Sequence, residues 1–444
     1  MKIVVIGGAA AGLTAASQVK RRMPDAEVTV LEKGGDVSYG ACGMPYNLLQ
    51  KDISAESLYA LSHKQITKDR GITYRLFSEV MHIDAANSRV RILDTRAFRD
   101  YDEEYDYLIY AAGASPRRLN IPGFDGENVF YFKTLEDLRN LKTFIHDNAP
   151  RKACLVGGGN INLELAEVLT EKGIQVTVIE KMEEILPSFA VQIREKAVEC
   201  LREKGVVLHT GTDIESWEGG ILKTSKGKIA CDFVVAAVGV QPNTQLFAGA
   251  GGKLGFKKAV KVDRYLRTNF SNILAAGDCA EHYIRPLGRN QYMPLGTTAN
   301  KQGRTAGYNA AHPGEMKPFP GVDQTAVFKL FDLTVGTTGL SEKQIEYESY
   351  SWGKVVVESR TRGSYPGGGR IRICLLFEKG SGRLLGAQMV GEDVVAKRLD
   401  VLAAAVYSRL TVFELAELDL SYAPPFAPVW DPILVAANQA VKEV

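Results

Sequence analysis

A short pattern occurs twice in this chain, and it restricts the possible folds more than any other feature. In the first copy, an apolar segment at residues 3–6 leads into a glycine turn at 7–12, a helical stretch at 13–22 and a second strand that ends in Glu32. An apolar strand running into a glycine turn and a helix is typical of a βαβ unit whose turn holds a pyrophosphate. Ala9 replaces the middle glycine of this turn, and its methyl group is the smallest side chain that such an approach tolerates. The terminal acid is placed to accept hydrogen bonds from a ribose.

The second copy begins at residue 153 and predicts a second dinucleotide site. Its glycine turn at 157–159 precedes a helical stretch, and the following strand at 175–180 ends in Glu180. Asn162 stands where the third glycine is expected, so helix and strand must separate slightly or Asn162 must find local hydrogen bonds. The repetition therefore predicts an α/β fold with two Rossmann-like dinucleotide-binding domains.

The order of the remaining apolar strands predicts that one nucleotide domain is inserted in the other. Segments 105–113 and 231–239 are apolar strands that end in glycine turns, and 271–278 is a third that ends in Gly-Asp. Strands at 354–360, 370–378 and 384–390, followed by a helix at 393–407, predict a C-terminal α+β domain. We expect a first domain made of 1–112 and 245–322, a second of 113–244 and a third of 323–444.

Composition excludes several classes of partner. With 54 basic and 52 acidic side chains the net charge is +2, which gives no electrostatic reason to expect nucleic acid or an anionic membrane. Six cysteines without paired metal-binding spacings predict no metal site. The start has too few apolar residues for a secretory signal, and no segment approaches the roughly 18 apolar residues of a membrane span. A cytoplasmic protein with reduced thiols is expected.

Cys42 stands alone just downstream of the first nucleotide unit. Gly43 and Pro45 follow it and predict a helix entered through the proline, so that exposed amides and the helix dipole favour thiolate over thiol. A thiol beside a cofactor site suggests redox chemistry. The alternative is a small buried hydrophobic residue, which most single cysteines are.

Three further segments identify the family that the chain resembles. Around the cysteine the chain reads SYGACGMPY at 38–46, and it reads PLGTTANKQGR at 294–304 and LSYAPPFAPVWDP at 420–432. With these the chain resembles the flavin-dependent pyridine nucleotide-disulfide oxidoreductases over essentially its whole length. Within them it resembles the single-cysteine coenzyme A-disulfide reductase branch, which includes related NADH oxidases and polysulfide reductases. The resemblance implies FAD in the first domain, NAD(P)H in the second and a homodimer formed through the third.

The resemblance also implies two sets of cofactor-binding residues. Those for FAD are Gly7, Ala9, Ala10, Gly12, Glu32, Lys33, Ala112, Gly113, Gly277, Asp278, Leu295, Gly296, Thr297 and Thr298. Those for NADH are Gly157, Gly159, Asn160, Ile161, Glu164, Glu180 and Gly239. The carboxylate of Glu180 would repel a 2′-phosphate, which favours NADH, with NADPH as the alternative. The sequence predicts a helix that opens at 297–300 and runs through Gly307, and its N-terminus would stabilise negative charge on a reduced flavin.

Two tyrosines complete the catalytic set that the resemblance implies. Glutathione-reductase-like relatives carry a second cysteine five residues after the first, where this chain has Asn47, so Cys42 must cycle through a mixed disulfide, a persulfide or a sulfenic acid. The last histidine is His312, well before the C-terminal domain, so another group must protonate the leaving thiolate. Tyr422 of the partner subunit matches the family's tyrosine, although it could merely pack beside the neighbouring prolines. Tyr365 matches a second family tyrosine.

Coenzyme A is implied as substrate or bound ligand. The residues that match those holding its phosphates and pantetheine arm are Gln18, Arg21, Ser38, Asn300 and Arg304. Ala41 departs from the pattern of the branch, and its methyl group cannot hydrogen-bond a ligand. The coenzyme A specificity therefore stays open.

The predicted function is NAD(P)H-dependent reduction of coenzyme A disulfide, coenzyme A persulfide or polysulfide through Cys42. Asn160 stands where relatives have an aromatic residue that shields the flavin, and we hypothesise that it admits oxygen. The alternatives are an NADH oxidase or peroxidase that uses a cysteine sulfenic acid, and a redox-sensing flavoprotein that binds NADH.

Overall fold

The protein, seen in a computed structural model that describes residues 1–50 and 52–444, is built from strands and helices along its whole length. The strands, numbered along the chain, are β1 Lys2–Ile6, β2 Glu27–Leu31, β3 Thr73–Arg75, β4 Ser78–Asp84, β5 Arg89–Asp94, β6 Arg99–Glu104, β7 Tyr107–Tyr110, β8 Ala114–Pro116, β9 Val129–Tyr131, β10 Lys152–Val156, β11 Gln175–Ile179, β12 Val207–His209, β13 Ile214–Glu218, β14 Ile221–Thr224, β15 Gly227–Ala230, β16 Phe233–Ala236, β17 Val240–Pro242, β18 Ile273–Ala275, β19 His282–Ile284, β20 Arg289–Gln291, β21 Ala326–Leu330, β22 Leu333–Gly339, β23 Trp352–Arg360, β24 Arg370–Glu378 and β25 Leu384–Gly391. The α-helices are α1 Ala10–Arg22, α2 Met44–Leu49, α3 Leu135–Asn148, α4 Asn160–Glu171, α5 Val191–Glu203, α6 Gln245–Gly249, α7 Gly296–Ala311, α8 Glu342–Tyr347, α9 Val395–Ser408, α10 Val412–Ala416 and α11 Pro432–Val441.

The two copies of the sequence pattern form two parallel sheets of five strands. The first has the order β18-β7-β1-β2-β3 and the second the order β12-β11-β10-β16-β9, with every neighbouring pair parallel. In each sheet the strand that runs into the glycine turn, β1 or β10, is central. The next strand of the sheet along the chain, β2 or β11, lies on one side of it, and a later strand, β7 or β16, lies on the other side, so the strand order reverses at the central strand. In open α/β sheets, ligands bind at the carboxyl ends of the strands at such a reversal. Each sheet is accompanied by a three-stranded antiparallel sheet, β4-β5-β6 and β13-β14-β15.

The first sheet is made of strands that come before and after the second domain in the sequence, because β18 pairs with β7. The chain crosses between the domains through β8 and β17, which pair with each other in antiparallel fashion. Asn243 fixes this crossing, because its side chain donates to the Ala112 carbonyl at 2.8 Å and accepts from Ser115 Oγ at 2.7 Å. The predicted insertion of one Rossmann-like domain in the other is therefore confirmed as a fold, while the exact domain boundaries stay predictions.

The C-terminal region forms a five-stranded antiparallel sheet of order β21-β22-β25-β24-β23. Helices α9 and α11 pack on this sheet, and an apolar core that includes Leu399, Leu402, Ile433 and Ala437 lies between them. This region has the predicted α+β character.

Two helix boundaries differ from the sequence prediction for local reasons. Helix α9 begins at Val395 rather than 393, because Val394 has a left-handed backbone (φ 50°) and Asp393 forms an ion pair with Arg362. Helix α7 ends at Ala311, four residues past the predicted 307, and His312 is its C-cap.

Candidate active site

The first glycine turn forms a cleft at the end of β1. Gly7 has a φ of +95°, and a Cβ there would collide with the Ala111 carbonyl, so only glycine fits. The carboxylate of Glu32 accepts hydrogen bonds from the backbone amides of Gly8 at 2.8 Å and Gly34 at 2.9 Å. The acid is thus held at the mouth of the turn. Ala9 is the N-cap of α1, and Lys33 is exposed beside the acid.

The second glycine turn repeats this geometry at the end of β10. Gly157 has a φ of +104°, and Glu180 accepts from the amides of Gly158 at 2.7 Å and Met182 at 2.8 Å. Lys181, the adjacent cation, forms an exposed ion pair with Asp213. Asn162 is fully buried and donates to the carbonyls of Val156 at 2.7 Å and Gly157 at 2.9 Å, which is the local hydrogen bonding that the sequence left as one of two alternatives.

Glycines facing open space mark both clefts. A Cβ added at Gly113 or Gly296 beside the first turn, or at Gly159 or Gly239 beside the second, would meet no atom within 4 Å. These backbones therefore leave room for a bound group to approach closely. The residues of both clefts therefore fit a bound dinucleotide.

Helix α7 begins beside the first cleft. Leu295 is its N-cap, Thr297 is exposed and Thr298 is buried. Gln302 positions the preceding strand end, because its side chain accepts from the Gly277 amide at 2.8 Å and donates to the Glu281 carbonyl at 2.8 Å. Lys133, a residue that the sequence did not single out, donates to the Asp278 carboxylate at 3.1 Å.

Cys42 lies in a short 3-10 turn over Ala41–Gly43, directly before α2, with Pro45 in the first turn of that helix. Of the six cysteines, all within the described residues, Cys42 is exposed and the other five are buried. Gly43 allows the turn, since a Cβ there would come within 2.7 Å of the Leu58 side chain. The predicted position ahead of a helix is therefore observed.

The predicted electrostatic activation of Cys42 by the chain itself is wrong in direction. Burial by the surrounding cleft raises the pKa of the Cys42 thiol, the Glu164 carboxylate raises it further, Lys133 lowers it and Asp278 raises it again. Although part of the thiol is open to solvent, its burial and the two carboxylates raise its pKa more than Lys133 and the backbone hydrogen bond of the turn lower it. Glu164, Lys133 and Asp278 come from three separate segments of the chain, and all three act on this sulfur.

Glu164 lies on α4 and joins it to α2, because Tyr46 Oη donates to Glu164 Oε1 at 3.0 Å. Burial raises the pKa of Glu164 to about 7, the Tyr46 hydrogen bond lowers it and Glu167 raises it. A carboxyl that titrates near neutrality beside a reactive thiol is a functional-site feature. Asn160 is the half-buried first residue of α4, and Ile161 beside it is 38% exposed.

Asn47 occupies the position of the second cysteine of the two-cysteine relatives. It is buried, donates to Ser54 O at 3.0 Å and Ser57 Oγ at 3.1 Å, and accepts from Lys142 Nζ at 2.9 Å. This side chain fastens the following loop and helix α3 to the active-site helix α2.

Four of the five predicted coenzyme A residues lie on two helices that contact each other, Gln18 and Arg21 on α1 and Asn300 and Arg304 on α7, whereas Ser38 lies in the segment after β2. The helices pack closely because a Cβ on Gly303 or Gly307 would collide with the backbone of Ala11 or Ala15. Thr14 donates to Asn300 at 2.7 Å, and the Arg22 guanidinium lies 5.4 Å from the centre of the Tyr308 ring. In both contacts the residue on α7 lies 286 positions after its partner on α1. The same spacing relates Arg304 to Gln18. Arg21 and Arg304 are exposed, whereas Gln18 and Ser38 are buried.

Tyr365 and Tyr422 lie on two neighbouring exposed loops, 46% and 54% exposed, and no hydrogen bond of the described chain joins either to Cys42. The buried Arg398 connects these loops, because it donates to the Asp431 carboxylate at 2.7 and 2.9 Å and to the Thr361 carbonyl at 3.2 Å. Large apolar side chains beside Tyr422 are also exposed, namely Phe426, Val429 and Trp430.

Metal-binding clusters and membrane-spanning helices are both absent from the described residues. Among residues 1–50 and 52–444, no cluster of three or more histidine, cysteine or acidic side chains is arranged to hold a metal ion. In the same part of the chain, no helix has the length and apolar character needed to cross a membrane.

Comparison with known proteins gives consistent matches. The family model described as pyridine nucleotide-disulphide oxidoreductase matches residues 1–303, and its dimerisation-domain model matches 325–432. A Pyrococcus abyssi protein named NAD(P)H sulfur oxidoreductase (CoA-dependent) is 36% identical, with 98% of this chain and 97% of that protein covered. A Methanocaldococcus jannaschii protein named NADH oxidase is 33% identical, with 100% and 99% covered. The solved structure of an NAD-dependent persulfide reductase from A. fulgidus superposes with a TM-score of 0.95 at 37% identity, covering 100% of this chain and 83% of that one.

Proposed function

Because this chain belongs to the pyridine nucleotide-disulphide oxidoreductase family, we propose that it uses NAD(P)H and FAD to reduce coenzyme A disulfide, coenzyme A persulfide or polysulfide through Cys42. The observation that carries the proposal is one exposed cysteine beside a dinucleotide cleft, with a structural asparagine at the second-cysteine position. The relatives named for sulfur and persulfide reduction support it.

The cleft at Gly7, Glu32 and Asp278 would hold FAD, and the cleft at Gly157 and Glu180 would hold the nicotinamide cofactor. When bound, the flavin supplies the two-electron exchange between a nicotinamide and sulfur that protein side chains cannot perform. Glu180 favours NADH, since its carboxylate opposes a 2′-phosphate and the adjacent Lys181 is paired with Asp213.

Cys42 performs disulfide exchange in this proposal. Its thiolate attacks one sulfur of coenzyme A disulfide, which breaks the S–S bond, releases one coenzyme A thiolate and leaves a mixed disulfide on Cys42. Two electrons and one proton then release the second coenzyme A and restore the Cys42 thiolate. NADH is the electron source, so one NADH and one proton are consumed for each disulfide reduced to two thiols.

The seam between α1 and α7 supports a long thiol substrate. Thr14 contacts Asn300 in this seam, and Arg304 follows on α7 about one helical turn later, about 6 Å at 1.5 Å per residue. Arg21 and Arg304 supply exposed cations for phosphates. A phosphorylated thiol of nucleotide size, such as coenzyme A, matches this combination of polar groups and charge.

Proton supply to the leaving thiolate is assigned to Tyr422 of a second copy of the chain, with Tyr365 beside it. A phenol can donate a hydrogen bond to sulfur. The family's dimerisation domain covers both loops, and the exposed apolar side chains around Tyr422 favour burial in a dimer. The homodimer therefore completes the active site.

The decisive experiment measures NADH consumption with coenzyme A disulfide, polysulfide, peroxide and oxygen. Cys42→Ser should abolish turnover of sulfur acceptors, while the control Cys200→Ser, whose buried thiol contacts the Leu330 carbonyl, should retain it. Mass spectrometry of the isolated protein should find a coenzyme A adduct on Cys42. Turnover of oxygen above all sulfur acceptors, and dependent on Cys42, would overturn the reductase assignment.

Asn160 favours NADH oxidase activity as the second candidate function. It is the half-buried first residue of α4 beside the second glycine turn and carries only a small polar side chain, and a relative at 33% identity is named NADH oxidase. Replacing Asn160 by tyrosine should lower oxygen consumption while retaining sulfur turnover. An unchanged oxygen rate would refute the shielding argument.

A further inference from the structure

A second concave region lies where the first domain meets the C-terminal sheet. Its volume is about 270 Å³, and residues of both parts of the chain line it, from Arg264 and Arg285 on one side to Arg383 and Arg409 on the other. Its lining contains no residue of the two dinucleotide clefts, of the α1–α7 seam or of the tyrosine loops. It is therefore a separate site.

This cavity is strongly basic. Arginine side chains stay charged under all ordinary conditions, so the four guanidinium groups place four positive charges around it. Asp323 is the one carboxylate in its lining, and it pairs with Arg285. Outside the lining, the carboxylate of Glu378 forms an ion pair with Arg383, with 3.7 Å between Arg383 Nε and the nearer oxygen. No ion pair joins Arg264 or Arg409 to an acidic side chain of the described residues, so the cavity keeps a net positive charge that favours an anion.

Two of the guanidinium groups are held in fixed planes. Arg264 lies 3.6 Å from the centre of the Tyr283 ring and donates to the Phe319 carbonyl at 2.9 Å. Arg285 lies 3.6 Å from the centre of the Tyr407 ring. A stacked guanidinium loses little further freedom when it binds, so these two arginines are preorganised for a ligand.

The arginines of the lining match one class of anion. Guanidinium groups bind phosphate oxygens through paired, charge-assisted hydrogen bonds, and arginine is the side chain of choice for phosphate recognition. A phosphate dianion also carries more negative charge than a carboxylate or chloride, so it is the anion that this cavity suits best.

We propose that this arginine cavity, defined by Arg264, Arg285, Arg383 and Arg409, binds a phosphate group of a small ligand. Drug-sized ligands occupy about 300–1,000 Å³, so a cavity at the lower end suits orthophosphate, pyrophosphate or a small phosphate monoester rather than a dinucleotide. Because its arginines come from both the first domain and the C-terminal region, the bound phosphate fastens these two parts together.

Isothermal titration calorimetry of the FAD-loaded protein with inorganic phosphate, pyrophosphate and glycerol phosphate tests this site. Chloride and acetate at the same ionic strength serve as reference anions. Arg383→Gln and Arg409→Gln should each weaken phosphate affinity about tenfold, the loss of one charge-assisted hydrogen bond. The exposed Arg202→Gln on α5 is the matched control and should leave the affinity unchanged. Basal NADH turnover should be the same in all three variants.

Three outcomes would overturn the proposal. The first is acetate or chloride binding as tightly as phosphate, and the second is unchanged phosphate affinity in both cavity variants. The third is loss of phosphate binding in Arg21→Gln or Arg304→Gln, which would assign the anion to the α1–α7 seam instead. Arg409→Lys guards against misfolding, since it keeps the charge and should retain intermediate affinity.

Discussion

Tyr46 and Glu164, which are 118 residues apart in the chain, are joined by a 3.0 Å hydrogen bond that connects the helix after the reactive cysteine to the helix of the second dinucleotide cleft. The donor is the phenol, because burial raises the pKa of Tyr46 and keeps it protonated. Burial also raises the pKa of Glu164 to about 7. The contact between the two helices therefore changes its charge near neutral pH.

The first prediction concerns stability against pH. Since the pKa of Glu164 is raised on folding from 4.5 to about 7, the stability given by its protonated form is complete below about pH 4.5 and is lost as pH rises through about 7. Chemical denaturation of the FAD-loaded protein should show wild type losing unfolding free energy relative to Glu164→Gln between about pH 5 and pH 8. A constant difference between the two proteins over this range would contradict the assigned titration.

The second prediction concerns the reactivity of Cys42. The Glu164 carboxylate raises the pKa of the thiol and Lys133 lowers it, so the two neighbours should act in opposite directions. At pH 7, alkylation of Cys42 by iodoacetamide should be faster in Glu164→Gln and slower in Lys133→Met than in wild type. A pKa change of one unit changes the thiolate fraction about tenfold, which sets the largest effect expected. Lys133→Arg is the control and should restore the rate; equal rates in all four proteins would exclude this electrostatic coupling.

Local patterns in the sequence were sufficient to predict the main architecture. The strand, glycine turn and terminal acid of each nucleotide unit are contiguous in sequence, so the positions of Glu32 and Glu180 beside their turns follow from spacing alone, while their ribose contacts stay predictions. Strand β24 coincides with the predicted 370–378 because its apolar run is bounded by turns. Where an element depends on a single backbone angle, as at Val394, no sequence pattern marks the boundary.

The electrostatics of the site could not be predicted, because they depend on contacts between distant segments. Lys133 follows a short strand and carries no motif, yet it reaches Asp278, 145 positions away. Tyr46 belongs to the segment that carried the family resemblance, but its partner Glu164 lies in another domain. The expected preference for thiolate at Cys42 considered only the helix terminus. It omitted the burial of the thiol and, after that, the carboxylates of Glu164 and Asp278, which together raise its pKa.

The third prediction concerns Asn47. Asn47→Ala removes three hydrogen bonds of a buried side chain and should lower the unfolding free energy by about 1–3 kcal/mol. Because the side chain fastens the loop and takes no part in exchange, the specific activity of the folded variant should stay near that of wild type. Urea denaturation checks the first statement and NADH consumption with coenzyme A disulfide the second. The exposed Asn148→Ala should change stability by less than about 0.5 kcal/mol.

The fourth prediction concerns the buried pair of Arg398 with Asp431. Arg398→Met leaves a buried carboxylate without its partner, which costs about 3–5 kcal/mol, and releases the loops that carry Tyr365 and Tyr422. We expect dimers to dissociate more readily in analytical ultracentrifugation and disulfide turnover to fall, while bound flavin is retained. Lys397→Met breaks only an exposed pair with Asp400 and serves as the control. Full turnover in a monomeric Arg398→Met protein would exclude a shared active site.

The fifth prediction uses the equivalence of Glu32 and Glu180, two acids with the same pair of backbone contacts in separate clefts. Glu32→Ala should release flavin, seen as loss of visible absorbance after gel filtration, whereas Glu180→Ala should keep it. Glu180→Ala should instead lower kcat/KM for NADH about 10- to 100-fold, the effect of losing charged hydrogen bonds worth about 1.5–3 kcal/mol. Its kcat/KM for NADPH should change less, because the repulsion of the 2′-phosphate disappears together with the hydrogen bonds.

Equal losses of kcat/KM for NADH and NADPH would show that Glu180 supports only the turn. Flavin loss from Glu180→Ala would reverse the assignment of the two clefts.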